Sequence, residues 1–293
     1  MKKTIFMKRK NTFFALLLAV LLLLQGCISL KPNEPDTTGK EPPDMPKDPT
    51  HYYEDAVYVY QAEVDEDVLL TGLDEVYLLL ANKVYILGDS YVPASLSVLT
   101  CPTNNDKEIK LETRTAHALY EMLKEMRHDG VTDVSVTSGY RSYAYQKSLN
   151  NYYTQEESKG FSSNAYTYFG ADYIQKNYKD KGLSSLSSAD VEAVVRSYSA
   201  APGASEHQTG LCLDFITSTM SGLDVTFEDT EAFEWLSENA YKFGFILRYP
   251  KGKEGITGYT YEPWHYRFVG REAATDIYFS GLTLEEYLGA VEG

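Results

Sequence analysis

An aspartate stands inside an otherwise apolar run, Leu211-Cys212-Leu213-Asp214-Phe215-Ile216, and this position constrains the chain more than any other. The run reads as a buried strand. A carboxylate carried into such a strand must meet a cation or hydrogen-bond donors, because an unpartnered charge is too costly to bury. The rest of the chain therefore has to bring partners to Asp214. Seven residues upstream, the loop Gly203-Ala204-Ser205-Glu206-His207-Gln208-Thr209-Gly210 supplies His207. Further on, the strand-like Tyr261-Glu262-Pro263-Trp264-His265-Tyr266-Arg267-Phe268 supplies His265 beside another carboxylate.

The chain has five histidines and three cysteines, so few groups compete for a metal or nucleophilic role. His51 lies at a compositional boundary, and His117 and His128 fall on a helix without a carboxylate or cysteine at ligand spacing. These three read as structural or surface residues. Two histidines and Asp214 make a catalytic zinc set that leaves a fourth position for water, whereas a closed structural site would ask for four ligands and more cysteine. Glu262, three residues from His265, can sit beside bound water without ligating, as general base and then as acid to a leaving amine. The residues alone leave a second reading open, in which each histidine is merely satisfied by a neighbouring acid.

Hydrophobic periods give the surroundings. Ala116, Leu119, Tyr120, Leu123 and Met126 recur at helical spacing over residues 115–128, and Asp129-Gly130 supplies a stop. Residues 134–137 alternate like a half-buried strand and end in the turn Ser138-Gly139-Tyr140-Arg141-Ser142. Further helices are predicted over 190–198 and 231–243, the latter with Gly244 just past its end. Strands are predicted over 211–216, 245–249 and 261–268, with short ones over 56–60 and 76–80. Residues 150–187 show no clean period and read as an insertion at a working edge. The sum is an α+β fold, helices against a small, mainly antiparallel sheet.

The N-terminus reads as an address. Lys2, Lys3, Lys8, Arg9 and Lys10 precede an apolar run over 13–24, shorter than the ~20 residues a membrane-spanning helix needs. The ending Leu24-Gln25-Gly26-Cys27 resembles the bacterial lipobox, with Gln25 departing from the usual small residue, and Cys27 is the expected lipidation site. Residues 28–50 hold six of the eleven prolines and read as an extended tether. The expected organisation is a signal peptide (1–26), a lipid anchor and tether (27–50), a short extension (51–78) and a catalytic domain with a helical tail (79–293). The formal charge of -15 deepens once the signal leaves, with 22 of the 27 basic residues remaining against 42 acidic ones. An acidic body of this kind repels a phosphate backbone, which excludes nucleic acid as the expected partner. With Cys27 consumed by lipid, Cys101 and Cys212 remain, as a disulfide or as separate buried thiols.

Three separated motifs carry a family resemblance: Ser138-Gly139-Tyr140-Arg141-Ser142, then Ser205-Glu206-His207-Gln208-Thr209-Gly210 with Asp214, then Glu262-Pro263-Trp264-His265-Tyr266-Arg267. In order and approximate spacing they resemble the VanY-like zinc D-alanyl-D-alanine carboxypeptidases of bacterial cell walls, over roughly residues 79–270. The resemblance implies a single zinc-peptidase domain with one Zn2+ held by His207, Asp214 and His265, and Glu262 as catalytic acid/base. It also implies Arg141 and Gln146 facing the substrate's terminal carboxylate, with Ser205 and Tyr249 lining the pocket. Cys212 stands where a small residue is more usual. The physics of Arg141 agrees, because a guanidinium forked onto a carboxylate distinguishes a free chain end from an internal bond.

The implied substrate is the peptidoglycan stem peptide. The implied location is the outer face of a cytoplasmic membrane, in a Gram-positive envelope by the character of the relatives, reached through the N-terminal lipid anchor. Three alternatives stand beside this: an L,D-carboxypeptidase acting on tetrapeptide stems, a D-Ala-D-Ala dipeptidase, and a metal-free wall-binding lipoprotein. The complete zinc set with Glu262 argues against the last. Neither Ser-x-x-Lys nor Gly-x-Ser-x-Gly occurs, and Cys212, alternating with two leucines, is poorly placed as a nucleophile.

Overall fold

The stripe predicted over 115–128 is one helix in a computed structural model, which describes residues 52–69 and 75–290. All of these fall in a compact unit spanning Pro43–Gly293. The expected signal peptide, Cys27, tether and His51 lie outside the described residues. In chain order the helices are α1 (Tyr52–Asp55), α2 (Glu66–Leu69), α3 (Thr113–His128), α4 (Tyr143–Glu157), α5 (Ser163–Phe169), α6 (Ala171–Asn177), α7 (Ser188–Tyr198), α8 (Glu231–Asn239), α9 (Glu254–Thr257), α10 (Arg271–Ser280) and α11 (Leu284–Tyr287). The strands are β1 (Leu96–Val98), β2 (Lys110–Glu112), β3 (Ser135–Ser138), β4 (Cys212–Ile216), β5 (Phe245–Leu247) and β6 (His265–Phe268).

Four strands form an antiparallel sheet in the order β3-β4-β6-β5, and β1 and β2 make a separate antiparallel ribbon. Because side chains alternate across a strand, the sheet has two unlike faces. Leu213 and Phe215 of β4 and Tyr266 and Phe268 of β6 enter the main apolar core, where Leu119, Met122 and Met126 of α3 and Trp235 and Leu236 of α8 meet them. Burying each such side chain stabilises by roughly 1.5–3 kcal/mol, which fixes the register of the central strands. The other face of β4 and β6 presents Cys212, Asp214, His265 and Arg267, with Asp214 opposite His265 and Cys212 opposite Arg267. A register shift in β3 between Val136 and Ser138 re-aims the strand end toward that polar face, as bulges do.

The insertion over 150–187 is helical. The end of α4, with α5, α6 and α7, closes over its own small core of Ala165, Ile174, Tyr178, Leu186, Val191, Val194 and Val195. Its period was illegible for a physical reason. The seven-residue helices α5 and α6 each bury one residue, Ala165 and Ile174, and the buried positions of α4 are the polar Gln146 and Glu157.

Other expectations need correction. Residues 56–60 and 76–80 are not strands. The first has no regular secondary structure and Val57 is 85% exposed, while its tyrosines lean on the domain: the Tyr58 and Thr275 hydroxyls lie 2.7 Å apart and Tyr60 donates to the Lys242 carbonyl at 3.0 Å. Alternation there records a segment laid on a helical surface, not a paired strand. Only His265–Phe268 of the span predicted over 261–268 is strand; the preceding residues turn, with the His265 N–H donating to the Glu262 carbonyl at 3.2 Å. The predicted helix over 231–243 ends in a 3-10 turn, Ala240–Phe243, before Gly244 at φ +84°. Cys101 and Cys212 are separate thiols. No described helix is long and apolar enough to cross a membrane.

Candidate active site

His207 sits on a buried 3-10 turn, Glu206–Thr209, closed by Gly210 in the left-handed region. Its Nδ1 lies 2.7 Å from the Gly139 carbonyl, which makes Nδ1–H the donor and leaves the Nε2 lone pair free. Gly139 permits the approach because a side chain there would put Cβ 2.6 Å from the Lys110 carbonyl oxygen and 2.7 Å from Ile109 Cγ2. Nε2 faces Asp214 Oδ2 at 3.3 Å, and the other Asp214 oxygen is 2.9 Å from His265 Nδ1. Glu262 completes the group, with Oε2 3.7 Å from the same Nδ1. The two imidazoles meet edge to face at 5.0 Å.

These groups shift one another. Burial would raise the Asp214 carboxyl, but the imidazoles on either side hold it well below the usual carboxylate range. Burial and Arg141 pull His207 down, yet Cys212 and Asp214 leave it raised. His265 is likewise raised well above the usual value, since the neighbouring Cys212, Asp214 and Glu206 outweigh burial. Glu262 moves the other way, pushed up to about 7 by burial, with Asp214 adding and His265, His207 and Arg141 opposing.

The site forms the floor of a cavity of about 550 Å³. Every site residue predicted within the described part lines it: Arg141, Gln146, Ser205, His207, Asp214, Tyr249, Glu262 and His265. Arg141 lies directly before α4, whose first turn is capped by Ser142, so its charge adds to the positive end of a helix dipole. Its side chain makes no hydrogen bond among the described residues, and its Nε is buried without a partner. Gln146 spends Nε2 on the Ala200 carbonyl at 2.7 Å and keeps Oε1 unpartnered. That free atom can accept from a substrate N–H, and the second Nε2–H remains a donor for the terminal carboxylate that the resemblance implies. The Tyr249 ring stands 4.9 Å from His265, centroid to centroid, and Ser205 is buried. His117 and His128 are exposed on α3, away from this cavity.

A buried charge network behind His265 was given no role from sequence. Glu206 Oε1 accepts from Arg248 Nε at 2.7 Å and from Arg267 Nη1 at 2.8 Å. Arg248 forks onto Glu285 of α11 at 2.8 and 2.6 Å, and Asn82 donates to the same carboxylate at 3.1 Å. Arg267 Nη2 donates to the carbonyls of Tyr77 and Leu79, and its Nε to the Phe268 carbonyl. The second oxygen of Glu206 has no hydrogen-bond partner and faces His265 Nε2 at 3.5 Å. Burial would raise Glu206, but the guanidiniums hold it far below its usual range. The signal was present in the quoted motifs: an acid beside His207 and an arginine two residues past His265 carry the same burial problem as Asp214.

The donor set fits zinc. Two imidazoles with a free lone pair or a neighbouring acceptor and a carboxylate converge on one face, and the carbonyl behind His207 and the carboxylate behind His265 are the outer partners such ligands use.

A family model described as VanY, D-alanyl-D-alanine carboxypeptidase, matches residues 108–271. A D-alanyl-D-alanine carboxypeptidase of Enterococcus faecalis (strain ATCC 700802 / V583) is 38% identical over 197 residues, which cover 67% of this chain and 62% of that protein. Among solved structures, the LdcB LD-carboxypeptidase matches with a TM-score of 0.56 and 34% identity, covering 73% of this chain and 86% of that one. The D,D-pentapeptidase VanY from the VanB-type vancomycin resistance cassette, solved as a variant in complex with Zn(II), matches with a TM-score of 0.54 and 35% identity, covering 73% and 99%.

Proposed function

This chain belongs to the VanY family of D-alanyl-D-alanine carboxypeptidases, and from that premise we propose how its residues divide the work of a zinc carboxypeptidase on peptidoglycan stem peptides. One observation carries the proposal: His207 Nε2, His265 Nδ1 and the Asp214 carboxylate converge within 3.3 Å contacts, with Glu262 at 3.7 Å and an unpaired Arg141 on the wall of the same cavity. His207, Asp214 and His265 would hold the ion. When bound, zinc supplies Lewis acidity toward a carbonyl and lowers the pKa of water to about 7.

Glu262 moves the proton. Beside the ion without ligating it, its carboxylate can take a proton from water and return it to the leaving amine of D-alanine. Arg141 binds the terminal carboxylate, gaining the partner its buried Nε lacks, and the start of α4 adds to the attraction. Gln146 Oε1 accepts from a substrate amide, and Tyr249 and Ser205 shape the wall beside His265. Purified protein given matched pentapeptide and tetrapeptide stems tests the reaction. Release of single D-alanine from the pentapeptide is expected. Preference for the tetrapeptide would replace this with the L,D activity of relatives such as LdcB, and release of intact dipeptide would make the enzyme a dipeptidase.

The location is part of the same proposal. A basic N-terminus, an apolar run shorter than a membrane span, Cys27 and a proline-rich tether support export and lipid anchoring at the outer face of the cytoplasmic membrane, close to the wall. A Cys27→Ser variant is expected to lose lipid labelling and be shed or left unprocessed. Wild-type protein with an intact N-terminus in the cytoplasm would refute the anchor.

A further inference from the structure

One buried carboxylate close to the cavity serves neither the metal nor the reaction above. Glu157, in the last turn of α4, is 2% exposed. Unlike Glu206, Asp214 and Glu285, it pairs with no guanidinium, ammonium or imidazole among the described residues. It is held by three neutral groups instead: the Ser162 hydroxyl, Asn164 Nδ2 at 3.3 Å and the Tyr198 hydroxyl at 3.0 Å. A buried charge without a counter-ion keeps its field, because little around it screens it.

Asn164 and Tyr198 line the cavity, and Glu157 decides which of their atoms are left for it. A carboxylate only accepts, so both residues turn a donor toward it. Burial and then Glu157 raise the Tyr198 phenol above its usual range, which keeps its proton in that bond. Asn164 Oδ1 and the Tyr198 oxygen lone pair are left over, acceptors with a negative charge one hydrogen bond behind them. That combination suits a cation that donates hydrogen bonds. Tyr145, Leu149 and Tyr153 line the same cavity at successive turns of α4, so it follows the helix for about 12 Å, from the end that holds Arg141 toward these acceptors. A peptide with its terminal carboxylate at Arg141 puts the residue two positions back about 7 Å away, and a long side chain on that residue covers the rest. In a pentapeptide stem this residue is the diamino acid, whose side-chain amine is free before cross-linking and an amide after it.

We propose that Asn164 and Tyr198, backed by Glu157, form an upstream subsite for the side-chain ammonium of a stem peptide, so that the enzyme selects stems whose amine is still free. The proposal rests on the carboxypeptidase reading above and adds a specificity to it. It also gives the helical region after α4 a part in the reaction.

The test compares two peptides on the zinc-loaded full chain: a pentapeptide stem with lysine at its third position, and the same stem with that amine acetylated. The readout is the ratio of their kcat/KM values, which within one preparation is independent of zinc content and folded fraction. Wild type should favour the free amine by about tenfold or more, the worth of one hydrogen bond to a charged group. Glu157→Gln keeps the shape and removes the charge, and its ratio should approach one. Ser162→Ala disturbs the same cluster and keeps the charge, and its ratio should stay near that of wild type. A wild-type ratio near one overturns the proposal, as does an unchanged ratio in Glu157→Gln. An equal fall in Ser162→Ala overturns it too, since packing and not charge would then set the preference. If Glu157→Gln does not fold, Asn164→Ala, at an exposed position, takes its place; its ratio should fall severalfold, and no fall refutes the subsite. Calorimetric affinities of the two stems for the zinc-loaded Glu262→Gln chain separate the two levels. An intact affinity ratio without D-alanine release by wild type removes the proposed reaction and leaves the subsite. Release of D-alanine with equal affinities and equal kcat/KM removes the subsite and leaves the reaction.

Discussion

Glu262 and Arg141 sit in one cavity and fail in different ways. Glu262 lies 3.7 Å from a ligand nitrogen without occupying a ligand position, and burial lifts its carboxyl to about 7. Glu262→Gln keeps shape and hydrogen bonding while removing proton transfer. It is expected to retain zinc and substrate affinity and lose at least about 10²-fold in kcat. Near-normal turnover in a zinc-loaded variant would move the proton to another group. Arg141 should report in binding. Arg141→Ala leaves the substrate anion without its forked partner, a loss of about 2–5 kcal/mol if the pair is desolvated, and Arg141→Lys should restore only part because a point charge cannot reproduce the fork. Kinetics on free and C-terminally amidated stems check this: wild type should lose most of kcat/KM on amidation, and Arg141→Ala should barely distinguish the two. At this scale the sequence was highly legible, since Asp214 in an apolar strand announces its need for partners. Gln146 was not, because which of its atoms is left free depends on the Ala200 carbonyl, a contact made 54 residues away.

Two neighbouring antiparallel strands and two turns build the site. β4 and β6 place Asp214 directly opposite His265, and cross-strand pairs on one face are the closest that side chains come in a sheet. The 3-10 turn adds His207 and Glu206. Strand β5, the Arg248 that follows it and α11 close the charge network behind His265. Glu206 positions His265 by facing its Nε2, so Glu206→Gln should lower zinc affinity by about 10–100-fold, the usual effect of losing a ligand's outer partner. Glu285→Gln is the control. It breaks the same network at Arg248 and should destabilise the fold by about 3–5 kcal/mol, with zinc affinity in the folded protein close to wild type. Equal loss of zinc affinity in both variants, measured by competition with a chelator, would mean that Glu206 acts only through the fold. Long periodic elements such as α3 and α8 were readable because one apolar stripe decides them. The α4–α7 region and the extension over 56–60 were not. The helices of α4–α7 are too short or too polar on the buried side to show a period, and residues 56–60 alternate in burial because Tyr58 and Tyr60 lean on the domain while Val57 and Val59 face out.

For the whole molecule, the groups that hold the metal also set how stability responds to pH, and the sign can be worked out before measurement. In the metal-free protein His207 and His265 have folded pKa values above their usual 6.5, so the stability they contribute is full below that value and is lost as pH rises through the folded values. Glu262, raised from 4.5 to about 7, adds to the loss between those two values, because the unfolded chain ionises first. Glu206 and Asp214, both lowered, contribute stability that is present above their usual 4.5 and 3.8 and is lost as pH falls through the folded values. The metal-free protein should therefore be most stable in mildly acid solution, and weaken toward pH 8. Zinc reverses the upper limb, since it binds unprotonated imidazoles and must displace the protons that the free site favours. The zinc-induced increment in unfolding free energy should grow steadily between about pH 5 and 8. Denaturant unfolding of the same preparation with chelator and with excess zinc, at several pH values across that range, measures the increment directly. An increment that stays flat or shrinks with rising pH would show that the metal is not held by His207 and His265, whatever activity the protein retains.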